Sequence, residues 1–394
     1  MKLVSINTVC NGSTGKIMGS ISREARKCGY EVFCIYGRRK GYTDIPCKKI
    51  GGFFSFWYHV FITTIFDLHG HGSYFKTKKI VRELKKINPD IIHLHNIHGY
   101  YLNYKVLFDY LKNEYKGKIF WTMHDCLPIT GHCAYFDYSG CTKWKTGCNK
   151  CKSKKSYPVS LFMDRTKKNY EEKKKLFTDI DINIITPSKW LENILKMSFL
   201  KNLNIKTINN GIDTDIFKPT YDDTIYEKYN IPKDKKILLG VANCWEKRKG
   251  FDDFLSLSKK LDDLYVIVLV GLTNRQIKKV KKYKNIIPIK RTENQHDLAA
   301  LYSLSYCLVN PTYEDNYPTV NIESLACKTR VVCYDTGGCV EQGINKNVYI
   351  VKKGNKNVDN LLKEILNLKE YQEFDTFLYS DKLFAKKIIE EYRK

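Results

Sequence analysis

Residues 311–338, PTYEDNYPTVNIESLACKTRVVCYDTGG, decide how the whole chain is read. The apolar run Tyr306-Cys307-Leu308-Val309 leads into them and stops at Asn310-Pro311, the pattern of a short buried strand reaching its carboxyl edge. A polar loop with Glu314, Asp315, Asn316 and Tyr317 comes next. Pro318 and Thr319 then mark a helix start, because proline fits a first turn and threonine can cap one. The helix is predicted through Ile322, Glu323, Leu325 and Ala326. Thr329-Arg330 lead into a second strand, Val331-Val332-Cys333-Tyr334, and Thr336-Gly337-Gly338 close the unit.

A strand, loop and helix in this order carry a specific chemistry. Amides at the start of a helix, here those of Thr319 and Val320, lack partners within it and can hold phosphate. Asp315 and Glu323 stand eight residues apart, so one carboxylate can reach a sugar while the other accepts from a ribose diol. Taken alone, a solvated acidic turn before an ordinary helix explains the same residues equally well.

Working outward, 394 residues exceed one compact core and suit two domains. A formal net charge of +25 predicts attraction to polyanions, whether nucleic acid, anionic lipid or phosphorylated substrate. The lysines are spread throughout, as in KKNYEEKKK and KKVKKYK, and the arginine–aromatic spacing of RNA-binding modules is missing, so no nucleic-acid partner is expected. The opening MKLVSI reads as a first strand and not as a secretory signal. The longest uncharged apolar run, 51–66, has sixteen residues and is too short to span a bilayer well. Fourteen cysteines without an export signal argue for reduced thiols in a cytoplasm.

In the first half, 2–8 is a predicted buried strand. It is followed by Cys10-Asn11-Gly12-Ser13-Thr14-Gly15-Lys16 and a helix through Ile17, Ile21 and Ala25. That loop is an anion cradle in principle. It is not a Walker A loop, since only two residues separate Gly12 from Gly15 and Ile17 follows Lys16; a tight turn is the other reading. Residues 31–36 form a second strand. The aromatic stretch 53–66 is expected to be a helix with a buried face, ahead of a membrane-facing patch flanked by Lys76, Lys78 and Lys79. Two further strands end in histidines, at 91–96 and 119–125. His93 and His95 fall on one side of the first, His98 follows in its loop, and His124-Asp125 end the second.

Cys133, Cys141, Cys148 and Cys151 come next, four thiols within nineteen residues ending in a C-x2-C knuckle. They could wrap one structural zinc ion, with His132 a further donor. In the second half, strand 237–242 runs into Asn243-Cys244-Trp245-Glu246-Lys247-Arg248-Lys249-Gly250, a basic loop before a helix over 251–261 that suits a diphosphate. Strands at 264–271 and 286–290, a helix at 293–302, and strand residues 341–343 and 348–351 complete the sheet; helices at 359–366 and from 374 onward close the chain. Alternating strands and helices in two halves imply an α/β protein of two Rossmann-like, doubly wound domains facing across a cleft. The expected divisions are 1–218, with a Cys-rich insertion at 126–157, then 219–376, and a helix at 377–394 packing back on the first domain.

The acid pair, with Pro187-Ser188-Lys189-Trp190-Leu191 and the N-N-G-I-D-x-x-x-F-x-P run from Asn209 to Pro219, resembles the family-4 retaining glycosyltransferases of the GT-B fold, of a bacterial polysaccharide-assembly type. The likeness covers nearly the whole chain in five separated segments. It implies transfer of a sugar from a nucleoside-diphosphate donor to an acceptor hydroxyl, the acceptor being a glycan or a lipid-linked molecule, without a catalytic metal. Residue by residue, Glu323 takes the glutamate that binds the donor ribose. Asp315 falls on the other glutamate, with Glu314 beside it, a departure from the family pattern. Lys249 matches the lysine that neutralises the leaving phosphates; the arginine position falls on Cys244, and Arg248 or Lys247 would have to substitute. Gly15 and Lys16 fall on the loop near the donor phosphates, and His124 on a histidine that contacts the donor sugar. The resemblance places such an enzyme in the cytoplasm, with an anionic inner membrane face as a peripheral contact. Two other readings remain: a basic zinc-knuckle nucleic-acid-binding protein, and a nucleotide-sugar-binding relative without activity.

Overall fold

The structure, a computed structural model, describes residues 1–394. In the first unit, Met1–Asn209 with Phe384–Lys394, strands and helices alternate: β1 (Lys2–Val9), α1 (Gly12–Lys27), β2 (Glu31–Arg38), β3 (Cys47–Lys49), α2 (Phe53–Phe66), α3 (Tyr74–Ile87), β4 (Ile91–Leu94), α4 (Tyr104–Asn113), β5 (Lys118–Thr122), α5 (Thr166–Phe177), β6 (Asn183–Thr186), α6 (Lys189–Lys196) and β7 (Asn204–Thr207). The strands form one parallel sheet in the order β3-β2-β1-β4-β5-β6-β7. Strand β1 is buried along its middle, as a central parallel strand covered on both faces must be. Local signals set the helix starts: Asn103 accepts from the Val106 amide at α4, and Ser188 from the Leu191 amide at α6.

The second unit, Asn210–Leu383, repeats the scheme with α7 (Thr224–Lys228), β8 (Lys236–Val241), α8 (Phe251–Leu257), β9 (Tyr265–Val270), α9 (Asn274–Val280), β10 (Ile286–Ile289), α10 (Gln295–Leu304), β11 (Cys307–Asn310), α11 (Thr319–Ala326), β12 (Arg330–Tyr334), α12 (Cys339–Gln342), β13 (Val348–Val351) and α13 (Asn357–Leu366). Its parallel sheet runs β10-β9-β8-β11-β12-β13. Neighbours β8 and β11 align Leu238 with Cys307 and Leu239 with Leu308. A separate apolar core covers each face of each sheet. No helix is long and apolar enough to cross a membrane.

Several expectations need correction. The segment 53–66 is a helix, but only His59, Ile62 and Thr63 are buried, while Phe54 is 88% exposed and Phe53, Trp57, Tyr58 and Phe61 more than half exposed. A helix apolar all round cannot hide every face against one sheet. Residues 341–343 do not join the sheet; Glu341 and Gln342 lie in the short helix α12. The helix expected over 251–261 ends at Leu257. The units divide at Asn210, not at 219, because Ile212 pairs with Ser380 and Phe217 packs in the second unit's core. The last helix, α14 (Asp381–Arg393), buries Phe384, Ile388, Ile389 and Tyr392 in the core of the first unit.

Candidate active site

In both sheets the strand order reverses beside the unit's first strand, between β1 and β4 and between β8 and β11. Loops leaving two such neighbours turn to opposite faces and open a crevice at their carboxyl ends. In the second unit the two loops are 242–250 and 311–318, the basic and the acidic stretches singled out by sequence. They touch at Gly250, whose φ is +72° and where a Cβ would stand 2.2 Å from the Pro311 carbonyl oxygen, so no larger residue fits.

Polar contacts lace the loops together. The Tyr313 amide donates to the Arg248 carbonyl at 2.7 Å. Arg248 gives Nη1 to the Glu314 carbonyl at 3.0 Å and Nε to the Glu246 carboxylate at 2.9 Å. Lys249 Nζ pairs with the Asp315 carboxylate. Glu314 is fully buried, whereas the side chains of Asp315 and Lys249 each keep about a fifth of their surface open. Of the adjacent acids, Asp315 is therefore the one a ligand can meet. Cys244 is exposed and leaves the basic work of this loop to its neighbours.

Helix α11 starts at this crevice. Its Thr319 and Val320 amides occupy the positions without intrahelical acceptors, and the start is held by a buried amide chain. Asn310 Nδ2 donates to Asn321 Oδ1, Asn321 Nδ2 to Gln342 Oε1, and Gln342 Nε2 to the Pro318 carbonyl, at 2.8, 2.8 and 3.1 Å. One turn on, Glu323 accepts from the hydroxyl of fully buried Tyr302 at 3.0 Å. That fixes one carboxylate oxygen by a donor that is itself immobile. Tyr317 is buried beside this start. Asn316 carries both side-chain amide atoms buried and without partners, an unmet hydrogen-bonding capacity that a polar ligand would satisfy.

The first unit's switch point is built differently. Gly15 sits where a Cβ would come within 2.3 Å of the Cys10 carbonyl carbon, so α1 lies against the loop that precedes it; Lys16 beside it is exposed. Asn7 ties the loops, its Oδ1 accepting from the Thr8 and Asn96 amides at 2.8 and 3.3 Å. At the ends of β4 and β5, His93, His95 and His124 stack in a file, with centroids 4.4 and 5.5 Å apart. His95 Nδ1 and His124 Nε2 share a hydrogen bond of 3.2 Å. Burial lowers His93 to about 3 and His124 to about 4, and drives His95 well below its usual range, so the file is neutral. Beside it, His98 meets Asp125 at 2.8 Å. Burial alone would raise Asp125, yet His98 and the Leu127 amide hold it below the ordinary value.

Sequence reasoning did not single out Tyr302, the Asn310–Asn321–Gln342 chain or the support that His95 gives His124. Asn310 at a strand end was a usable signal; the others depend on partners far along the chain. Cys133, Cys141, Cys148 and Cys151 are all free thiols lining one cavity of about 170 Å³, whose walls include none of the residues above.

Two doubly wound parallel sheets in one chain, each with polar loops at its switch point, define the GT-B class of glycosyltransferase fold. Comparison narrows this. The model for Glycosyltransferase Family 4 matches residues 15–216, and that for Glycosyl transferases group 1 matches residues 222–378; the chain belongs to glycosyltransferase family 4. Over 132 residues it is 33% identical to WcaC of Escherichia coli (strain K12), a protein named for colanic acid biosynthesis and glycosyl transfer. That match takes in 32% of each chain, so the present chain spans about a third of that relative's length. Among solved structures, sucrose-phosphate synthase of Thermosynechococcus elongatus superposes with a TM-score of 0.72 at 15% identity, covering 100% of this chain and 98% of that one. Anabaena HepE in complex with UDP gives 0.66 at 13% identity, with both chains covered in full. At such identities the structures speak to the fold.

Proposed function

We propose that the protein is a retaining glycosyltransferase that moves a sugar from a nucleoside-diphosphate donor to an acceptor hydroxyl in surface-polysaccharide assembly. The observation that carries this reading is the second unit's switch point. There a basic loop is tied through Arg248 and Lys249 to the acidic loop that leads into α11, and Glu323 on that helix is fixed by Tyr302. Glu323 would accept from the ribose hydroxyls. Lys249 and Arg248, with the Thr319 and Val320 amides, would take the diphosphate, and Asn316 and Tyr317 would line it. Asp315 would meet the sugar, with Glu314 holding the loop from behind. Asp315 replaces the family glutamate by a shorter side chain, and Lys249 keeps it in place.

In the reaction the bond from the anomeric carbon to the phosphate oxygen breaks while a bond to the acceptor oxygen forms on the same face. The acceptor's proton passes to the leaving phosphate oxygen, so no external oxidant, reductant or water is consumed. Charge builds on the diphosphate as its bond lengthens, and prepositioned cations and amides stabilise that charge more than they stabilise the ground state. In the first unit, Gly15 and Lys16 would border the donor phosphates. His124 would act as a neutral hydrogen-bonding contact to the sugar, its low pKa keeping it uncharged across the physiological range.

The acceptor is proposed to be a glycan or a lipid-linked molecule at the inner face of a cell membrane, with the protein in the cytoplasm. Helix α2 supports this: it presents Phe53, Phe54, Trp57, Tyr58 and Phe61 to solvent, with no charge along its length and Lys76 and Lys78 nearby in sequence. The test is a panel of nucleotide sugars incubated with the purified chain, followed by release of nucleoside diphosphate. Turnover of one donor is expected, lost in Glu323→Ala with folding intact. A chain that neither binds nor turns over any nucleotide sugar would overturn the assignment.

A further inference from the structure

Between β5 and α5 the chain spends residues 123–165 with only two three-residue turns of 3-10 helix. A segment this long and irregular needs something other than backbone ladders to hold it. Its cavity of about 170 Å³ is walled by Cys133, Cys141, Cys148, Cys151, His132 and Trp144, among others. All four thiols line this one cavity, with Cys133 and Cys148 buried and Cys141 and Cys151 half-buried.

His132 supplies an independent observation. Its side chain is fully buried, Nδ1 bonds the Asp67 carboxylate at 2.6 Å, and Nε2 is buried with no partner at all. A carboxylate on one ring nitrogen fixes the tautomer and aims the other as an acceptor, the arrangement that orients a metal-binding histidine. Asp67 is in turn anchored by the Arg165 amide at 2.9 Å, and its carbonyl by Asn169 at 2.7 Å. Charge agrees. The buried Lys173 ammonium donates to the Leu127 and Thr130 carbonyls at 2.7 and 2.9 Å, beside Cys148 and Cys133. The Asp67 and Asp125 carboxylates also act on this ammonium, and three thiolates around a divalent ion would add a net charge of about −1 beside it.

We infer that this cavity is a structural zinc site, in which the thiolates of Cys133, Cys148 and Cys151 and Nε2 of His132 form the tetrahedral sphere. No three metal-capable side chains stand at coordination spacing in the structure, so the site requires the thiols to turn about their Cα–Cβ bonds when the ion binds. Each thiol that binds gives its proton to solvent. Cys141 is the donor left over. The sphere is closed, with no position for substrate, so the site pins the 123–165 segment and takes no part in chemistry. It stands whether or not the chain transfers sugar.

The experiment is metal analysis of the full chain, purified in reductant without chelator, with Co(II) substitution as a second readout. Expected are roughly one zinc per chain, an intense sulfur-to-cobalt charge-transfer band, and Cys141→Ser retaining both. Cys151→Ser and His132→Gln should drop to roughly a tenth of the metal or less. Should those variants fail to fold, the unaltered chain stripped by chelator decides the matter: re-added zinc must bind at unit stoichiometry and raise the melting temperature. Absence of a thiolate–cobalt band in the unaltered chain overturns the site. Loss of metal in Cys141→Ser with retention in His132→Gln overturns this sphere.

Discussion

The two switch points share a backbone plan and differ in what they offer a ligand. That of the second unit is ionic: Lys249 on Asp315, Arg248 on the Glu314 carbonyl, and Glu323 under the Tyr302 hydroxyl. That of the first unit carries a stacked file of imidazoles whose burial removes their charge, with the His98–Asp125 pair beside it. Fixed cations suit a group that gains charge during reaction, while a neutral file suits hydroxyls whose charge does not change. The same parallel scaffold thus carries two electrostatic settings, fixed by which residue types end the strands.

Replacing Lys249 is the severest way to break this contrast. Lys249→Ala should lower kcat/KM for the donor by about 10²–10³-fold, while His124→Ala, which removes a neutral hydrogen bond, should cost about 10-fold. Equal losses in steady-state assays would erase the distinction. Next comes Gly250→Ala, which forces a Cβ into the Pro311 carbonyl at a left-handed φ. It should destabilise the second unit by about 1–3 kcal/mol in urea unfolding; an unchanged midpoint would mean the loops are not locked there.

Acid sharpens the comparison from the other side. Burial holds His59 and His93 near 3 and His124 near 4, from an ordinary 6.5. The folded chain stays unprotonated there while the unfolded chain takes up protons. Stability is therefore full above pH 6.5 and declines as the pH falls toward 4, by up to about 1.4 kcal/mol per pH unit for each histidine. Urea midpoints of the chain and of His93→Gln between pH 7.5 and 5 measure it, and a flat profile in both would contradict the neutral file. Smallest is Tyr302→Phe, which frees one oxygen of Glu323. A rise in donor KM corresponding to about 0.5–1.5 kcal/mol, with kcat nearly unchanged, is expected from steady-state kinetics.

Much of this was legible in the sequence where local rules act. Val309-Asn310-Pro311 marks a strand end, and Pro318-Thr319 a helix start, because proline and burial leave few alternatives, and α11 does begin at Thr319. The pairing of Lys249 with Asp315 was not, since 66 residues separate them and only the parallel register of β8 and β11 makes them neighbours. The outward face of α2 was misread because a helix apolar at nearly every position gives periodicity nothing to point with. Gln342 was misassigned because four residues are too few for either period to declare itself. The partners of His132 and His124 lie 65 and 29 residues away, beyond any local pattern.

The chain leaves its first unit at Asn209 and returns at Phe384, which makes the second unit an insert. A ribosome delivers every residue of that insert before it supplies Tyr392, the phenol that meets His93 at the heart of the earlier sheet. The half translated first is thus completed last, and nascent chains carry an open seam where α14 will dock. The later half can be excised as one continuous gene fragment, whereas the earlier half can be made alone only by splicing its closing helix back on.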